Sequence, residues 1–161
     1  MPGEALTIVG HGLRARGVEG PIEADEEATH VEVLCRRYAC RACGAVLVVV
    51  PRGLGRALRY SLSAIAYALA LWGYARATAA QARAAASAAK ARGFTSPEQW
   101  STLRRWTSRA ETIFGAGVPS ATGTLRERAA RIATWLASHA PLSTGSVPRD
   151  AFLGGRFVHA R

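Results

Sequence analysis

At Pro51-Arg52-Gly53-Leu54-Gly55 the apolar spacing of this chain changes from every second residue to every third or fourth, and no single element satisfies both periods. Upstream the pattern asks for strands and downstream for helices, so the expected fold class is α+β. The expected division is a small β-ribbon module over residues 1–52, a helical domain over 53–140 and a flexible tail over 141–161, where Gly, Ser and Pro abound. A length of 161 residues is enough for one real core.

Before the break, Thr7-Ile8-Val9, residues 29–38 and residues 45–50 read as strands, the last stopping at Pro51. Alternation puts Val31, Val33 and Cys35 on one face. Val31, Val33, Leu47 and Val49 are expected to pack together and hold the module. The acidic run 23–27 reads as a solvated loop.

Between the last two strands, Cys40-Arg41-Ala42-Cys43-Gly44 forms a knuckle at a hairpin tip. Two thiolates separated by two residues reach one tetrahedral metal ion, and the following glycine takes the positive φ that folds backbone over the sulfurs. A closed zinc site needs four ligands, and no second CxxC is present. Cys35, His11 and His30 are the further candidates. Alternation assigns Cys35 to burial as a small hydrophobe, and an ordinary surface imidazole is the simpler reading of both histidines. Any ion held by Cys40 and Cys43 is therefore expected to be weakly bound, at well under one zinc per chain.

After the break, Leu58, Leu62, Ile65, Leu69 and Trp72 recur at helical spacing as a core stripe. Residues 78–92 are mostly alanine, a helix that must pack closely or be weakly held. Gly93 caps its end, and Ser96, Pro97 and Glu98 suit the start of the next helix, expected over 96–114. Trp100, Leu103, Thr107, Ala110 and Phe114 mark the inner face of that helix, and Ser101, Arg104, Arg105, Ser108 and Arg109 its outer face. A last helix over 124–139 shows Leu125, Ala129, Ile132 and Leu136 at helical spacing, with Arg126, Arg128 and Arg131 elsewhere on its surface.

The net charge of +10 is unevenly placed. Residues 1–50 hold five arginines against seven acids, and residues 51–161 hold sixteen basic residues against four acids. The basic surface belongs to the helices. Lys90 is the one lysine; arginine suits phosphate and guanine, although a GC-rich genome produces the same bias. Three cysteines, two of them in one CxxC, argue against a secreted disulfide scaffold. Met1-Pro2-Gly3-Glu4 lacks the basic start of a signal peptide, and the sixteen uncharged residues between Arg59 and Arg76 fall short of the ~20 that span a bilayer. A soluble, cytoplasmic protein is expected, with self-association left open.

Helices over 78–92 and 96–114 joined by a short glycine-containing turn, with 58–72 as scaffold, make a helix-turn-helix reading. Ser101, Arg104, Arg105, Ser108 and Arg109 on the second helix are then the expected contacts to double-stranded DNA. The stretches VGHGLRARGVEG, VLCRRYACRACGAVLVVVP and STLRRWTSR together resemble the N-terminal region of bacterial insertion-sequence transposases and related DNA-binding proteins, a zinc ribbon followed by helix-turn-helix, over about residues 8–114. The resemblance implies a second pair of zinc ligands before His11, where this sequence has no cysteine. It also implies, for whole transposases, an RNase H-like domain with three carboxylates and two metal ions. Only four acids follow residue 50, three of them in predicted helices, and there is no Walker loop or nucleophile triad. The expectation is a non-enzymatic DNA-recognition module, as a regulator or a mobile-element remnant. The alternative is a basic helical protein that meets an acidic partner or anionic lipid.

Overall fold

The computed structural model describes residues 7–88, 100–120 and 122–158. Three antiparallel strands come first: β1 Ile8–Gly20, β2 Thr29–Cys40 and β3 Val46–Val49, in the order β1-β2-β3. Ile8 stands opposite Cys40 and Gly20 opposite Thr29, with one irregularity between Gly10 and Leu13. Val49 and Val46 of β3 stand opposite Arg36 and Ala39. β1 continues eleven residues beyond the expected stop at Val9. Its glycines and arginines conceal a strand because much of the ribbon is open to water on both faces, so no buried face demands alternation.

The register also corrects the expected packing of Val31 and Val33 against Leu47 and Val49. Side chains of directly paired residues share a face, so Leu47 (opposite Tyr38) and Val49 (opposite Arg36) lie on the face away from Val31 and Val33. Leu47, Val49 and Val31 are exposed. The ribbon is held by its backbone ladder and by its inner end, where Val18, Glu19 and Gly20 are buried.

The helices are α1 Leu62–Leu69, α2 Ala79–Ala86, α3 Ser101–Ser108, α4 Ala110–Phe114, α5 Leu125–Ala137 and α6 Val147–Phe157. Ser61 caps α1 through its hydroxyl to the Ala64 N–H at 3.0 Å, and Leu62, Ile65 and Leu69 are buried as their spacing predicts. Leu58 precedes the helix. α1 runs into one π-helical turn, Ala70–Tyr74, which α5 crosses closely: a Cβ on Gly73 would lie 2.5 Å from the Ala130 nitrogen. Capping boxes start α2 (Thr78 with Gln81) and α5 (Thr124 with Glu127). The alanine-rich α2 takes the close-packing alternative, with Ala82 and Ala86 fully buried. Ala129, Ile132 and Leu136 of α5 join the same core.

Residues 141–158 are not the flexible tail expected there. α6 occupies 147–157 and inserts fully buried Phe152 edge-on to Tyr67 at 5.9 Å. Pro148 stands in its first turn, and Asp150 accepts three hydrogen bonds of 2.7 Å from Ser143 Oγ, Thr144 N–H and Thr144 Oγ1. Gly154 lets α6 touch α5, since a Cβ there would sit 1.8 Å from the Leu136 carbonyl oxygen. The residues that read as tail are a loop cap, a helix-starting proline and a contact glycine. The acidic loop is likewise not merely solvated: Asp25 accepts from Tyr67 and pairs with Arg149 at 2.5 Å, and Glu23 pairs with Arg156 at 3.4 Å. No helix among the described residues is long and apolar enough to cross a membrane.

Candidate nucleic-acid interface

α3 is seated by its aromatic residues. Trp100, Trp106 and Tyr60 form an edge-to-face cluster, with centroids 5.0 Å apart for Trp100 and Trp106 and 5.0 Å for Tyr60 and Trp106. Tyr60 links this cluster to the ribbon, because its hydroxyl bonds Ser87, which in turn bonds Glu19. Glu19 is 2% exposed and also pairs with Arg59. Its main chain bonds on both sides, Glu19 N–H to Arg59 O at 2.8 Å and Ser61 N–H to Glu19 O at 3.0 Å. One carboxylate thus ties β1, the approach to α1 and the end of α2.

The two faces of the α3 region separate as their spacing predicts. Trp100, Leu103, Thr107, Ala110 and Phe114 are buried, and Ser101, Arg104, Arg105, Ser108 and Arg109 are all exposed. At 100° per residue those five span about 140° of the helix. The single helix expected over 96–114 changes direction at Arg109 (φ −110°, ψ 19°), which divides α3 from α4. The preceding helix ends at Ala86, short of Arg92, where Ser87 turns extended (φ −132°, ψ 123°) and aims its hydroxyl at Glu19. Gly93, Ser96, Pro97 and Glu98, which were to form the short turn and the cap, lie outside the described residues.

Arginine roles divide sharply. Arg16 donates to the Gly55 carbonyl at 2.6 Å and to that of Leu58, and Arg126 to Trp72 O at 2.8 Å and Ala77 O at 2.5 Å. Arg131 bonds Thr122 O, and Arg59, Arg149 and Arg156 pair with acids. These side chains are committed to structure. Arg104, Arg105 and Arg109 have no acidic partner among the described residues; Arg105 bonds the hydroxyl of neighbouring Thr102, at 3.1 Å. Spacing alone could not make this division, since every arginine looks alike in sequence.

The knuckle forms as its residues suggest. Gly44 has φ +72°, its N–H bonds Cys40 O at 2.9 Å, and Cys40 N–H bonds Ala45 O at 2.9 Å. The backbone N–H of Cys43, then that of Ala42, points at the Cys40 sulfur and holds its thiol below the ordinary range. Cys43 is exposed, and Cys40 is tucked under the turn. The other metal-ligand candidates do not join them. Cys35, 1% exposed, is five residues from Cys40 along β2, about 17 Å away and on the opposite face. His30 is ten residues away, about 33 Å, with its ring over Gly17. His11 is exposed in the β1 irregularity. Among the described residues no three His, Cys, Asp or Glu side chains converge on a point that could hold a metal ion.

No protein-family model, curated protein or solved structure matches the chain. The polar groups that organise the molecule, Glu19 with Ser87 and Asp150 with residues 143–144, were missed on sequence. The one signal for Asp150 is its place in the first turn after Ser146, Val147 and Pro148, a helix-start pattern.

Proposed function

We propose that this chain binds double-stranded DNA through α3, as a transposase-like recognition module of a bacterial mobile element. In this reading α2 and α3 are the helix pair of a helix-turn-helix and the three-stranded sheet is a zinc-ribbon-like companion. A DNA partner puts the working protein in the bacterial cytoplasm. One observation carries the proposal: Ser101, Arg104, Arg105 and Ser108 of α3, with Arg109 at its end, stand exposed opposite a face locked into the core, and no acid among the described residues pairs with the arginines. An α-helix with its side chains is about 10–12 Å across, a size that a major groove about 12 Å wide admits. The arginines serve phosphate or guanine, and the serines phosphate or base edges.

Fluorescence anisotropy of a labelled duplex, titrated at increasing salt, tests this reading. Three arginine–phosphate contacts should contribute a slope of about −2.7 in log affinity against log salt. Competition by random duplex then measures sequence preference. No duplex binding by the folded chain, or equal binding to anionic lipid vesicles, would overturn the proposal.

A further inference from the structure

We propose that the Cys40–Cys43 knuckle is one half of a zinc site that a second copy of this chain completes, so that two ribbon tips share one zinc ion. The knuckle has the form of a ligand pair: a CxxC turn closed by two backbone hydrogen bonds, with glycine at positive φ and Cys43 exposed. Structural zinc takes four ligands, and among the described residues none stands by to supply a third. Two such pairs related by a two-fold axis satisfy the tetrahedron, each copy giving the same two sulfurs.

The position of the knuckle permits the approach. It lies eleven residues along β2 from Thr29, about 35 Å from the inner end of the ribbon where Glu19 and Gly20 meet the helices. The sheet face that carries Cys40 also offers something to cover. Register places Ile8 beside Cys40, Leu47 beside Tyr38, Val49 and Leu13 beside Arg36, and Leu34 beside Ala15, all on that face. Ile8, Leu13, Leu34, Leu47 and Val49 are each 44–57% exposed, a contiguous apolar patch of the kind that marks an interface.

Area decides what holds the pair together. Six residue steps across three strands cover about 20 Å by 14 Å, a footprint of about 300 Å². A stable interface buries about 800 Å² per partner, so this patch does not dimerise the chain unaided. The zinc ion is what makes the association, and the patch orients it. Charge agrees, since four thiolates around one divalent ion leave two negative charges, and each copy brings one exposed Arg41 within the knuckle itself. Arg36 lies within the patch, and its long stem lets the guanidinium reach the rim. The assignment is independent of the DNA reading, because none of its residues lies on α3.

The experiment is metal analysis of the full chain with zinc supplied, coupled to light-scattering mass. The expected result is about one zinc per two chains, all of it in a dimer. Chelation should return a monomer with unchanged far-ultraviolet circular dichroism, and cobalt in place of zinc should show the charge-transfer and d–d bands of four thiolates. Cys43→Ser should abolish both metal and dimer, while Leu47→Glu should weaken the dimer without unfolding the monomer. One zinc per monomer, a dimer that survives chelation, iron instead of zinc, or no bound metal would each overturn the proposal.

Discussion

Ser87 Oγ donates a 2.9 Å hydrogen bond to Glu19 Oε2, so the residue that ends α2 and one near the end of β1 share a buried carboxylate across 68 positions of chain. This bond attaches the ribbon to the helices. Both groups are buried, so neither can turn to water instead when its partner is removed.

Ser87→Ala should therefore destabilise the chain by about 1–3 kcal/mol, the cost of leaving a buried acceptor short of a donor. Urea unfolding measures it. Combined with Glu19→Gln, the loss should be smaller than the sum of the two single losses, since both act on one network.

Arg105→Ala and Arg109→Ala should each weaken duplex binding without altering the circular dichroism spectrum, because both side chains are exposed. If an arginine touches phosphate, the loss will be similar on every sequence and the salt slope shallower; if it touches guanine, the loss will be about 1–3 kcal/mol on the preferred site. A double variant that binds as well as the parent would remove α3 from the interface.

Gly154→Ala should cost about 1–3 kcal/mol or more, because the new methyl would sit 1.8 Å from the Leu136 carbonyl oxygen and would force α6 away from α5. Phe152→Ala, which empties a fully buried site, should cost about 3–5 kcal/mol. Were 141–161 a loose tail, both would leave the melting temperature unchanged.

Acid should undo the α6 attachment. The Tyr67 hydroxyl, and then Arg149, hold the Asp25 carboxyl below the ordinary range. Burial raises Asp150, but the bonds from Thr144 and Ser143 overcome it and leave its carboxyl lowered as well. Both groups bind fewer protons folded than unfolded, so their stabilisation is complete above the ordinary aspartate value of about 3.9 and is lost as pH falls through the lower folded values. Tyr67 sets an upper edge: burial, with help from Asp25, pushes it up to about 12, so its contribution is present below about 10 and lost as pH rises from there toward 12. Melting temperature against pH should show both edges. Asp150→Asn should flatten the acid edge.

Much of the helical region was legible because burial there follows periodicity. Leu62, Ile65, Leu69, Leu103, Phe114, Ile132 and Leu136 each sit where a 3.6-residue period places a core residue, and all are buried. The outer face of α3 was legible for the same reason, as the complement of a well-marked inner face. The ribbon was harder to read. With water on both sides, β1 had no need to alternate, and its strand character depends on hydrogen bonds to β2 that no local pattern encodes.

By itself the sequence determined the elements: a switch of period at residues 51–55, the knuckle turn at Gly44, and which side of α3 faces out. All of these depend on residues within a few positions of one another, where backbone preference and side-chain spacing act directly. Tertiary structure alone decided which charges are committed and which are available. Arg126 bonds the Trp72 carbonyl of the π turn while Arg104 faces water, Glu19 is buried against Ser87 while Glu32 is exposed, and Cys35 is separated from Cys40 by half a ribbon. The physical reason is that a charge is committed by its partner, and these partners lie tens of residues away in the chain, brought within 3 Å only when the ribbon and helices close on one another.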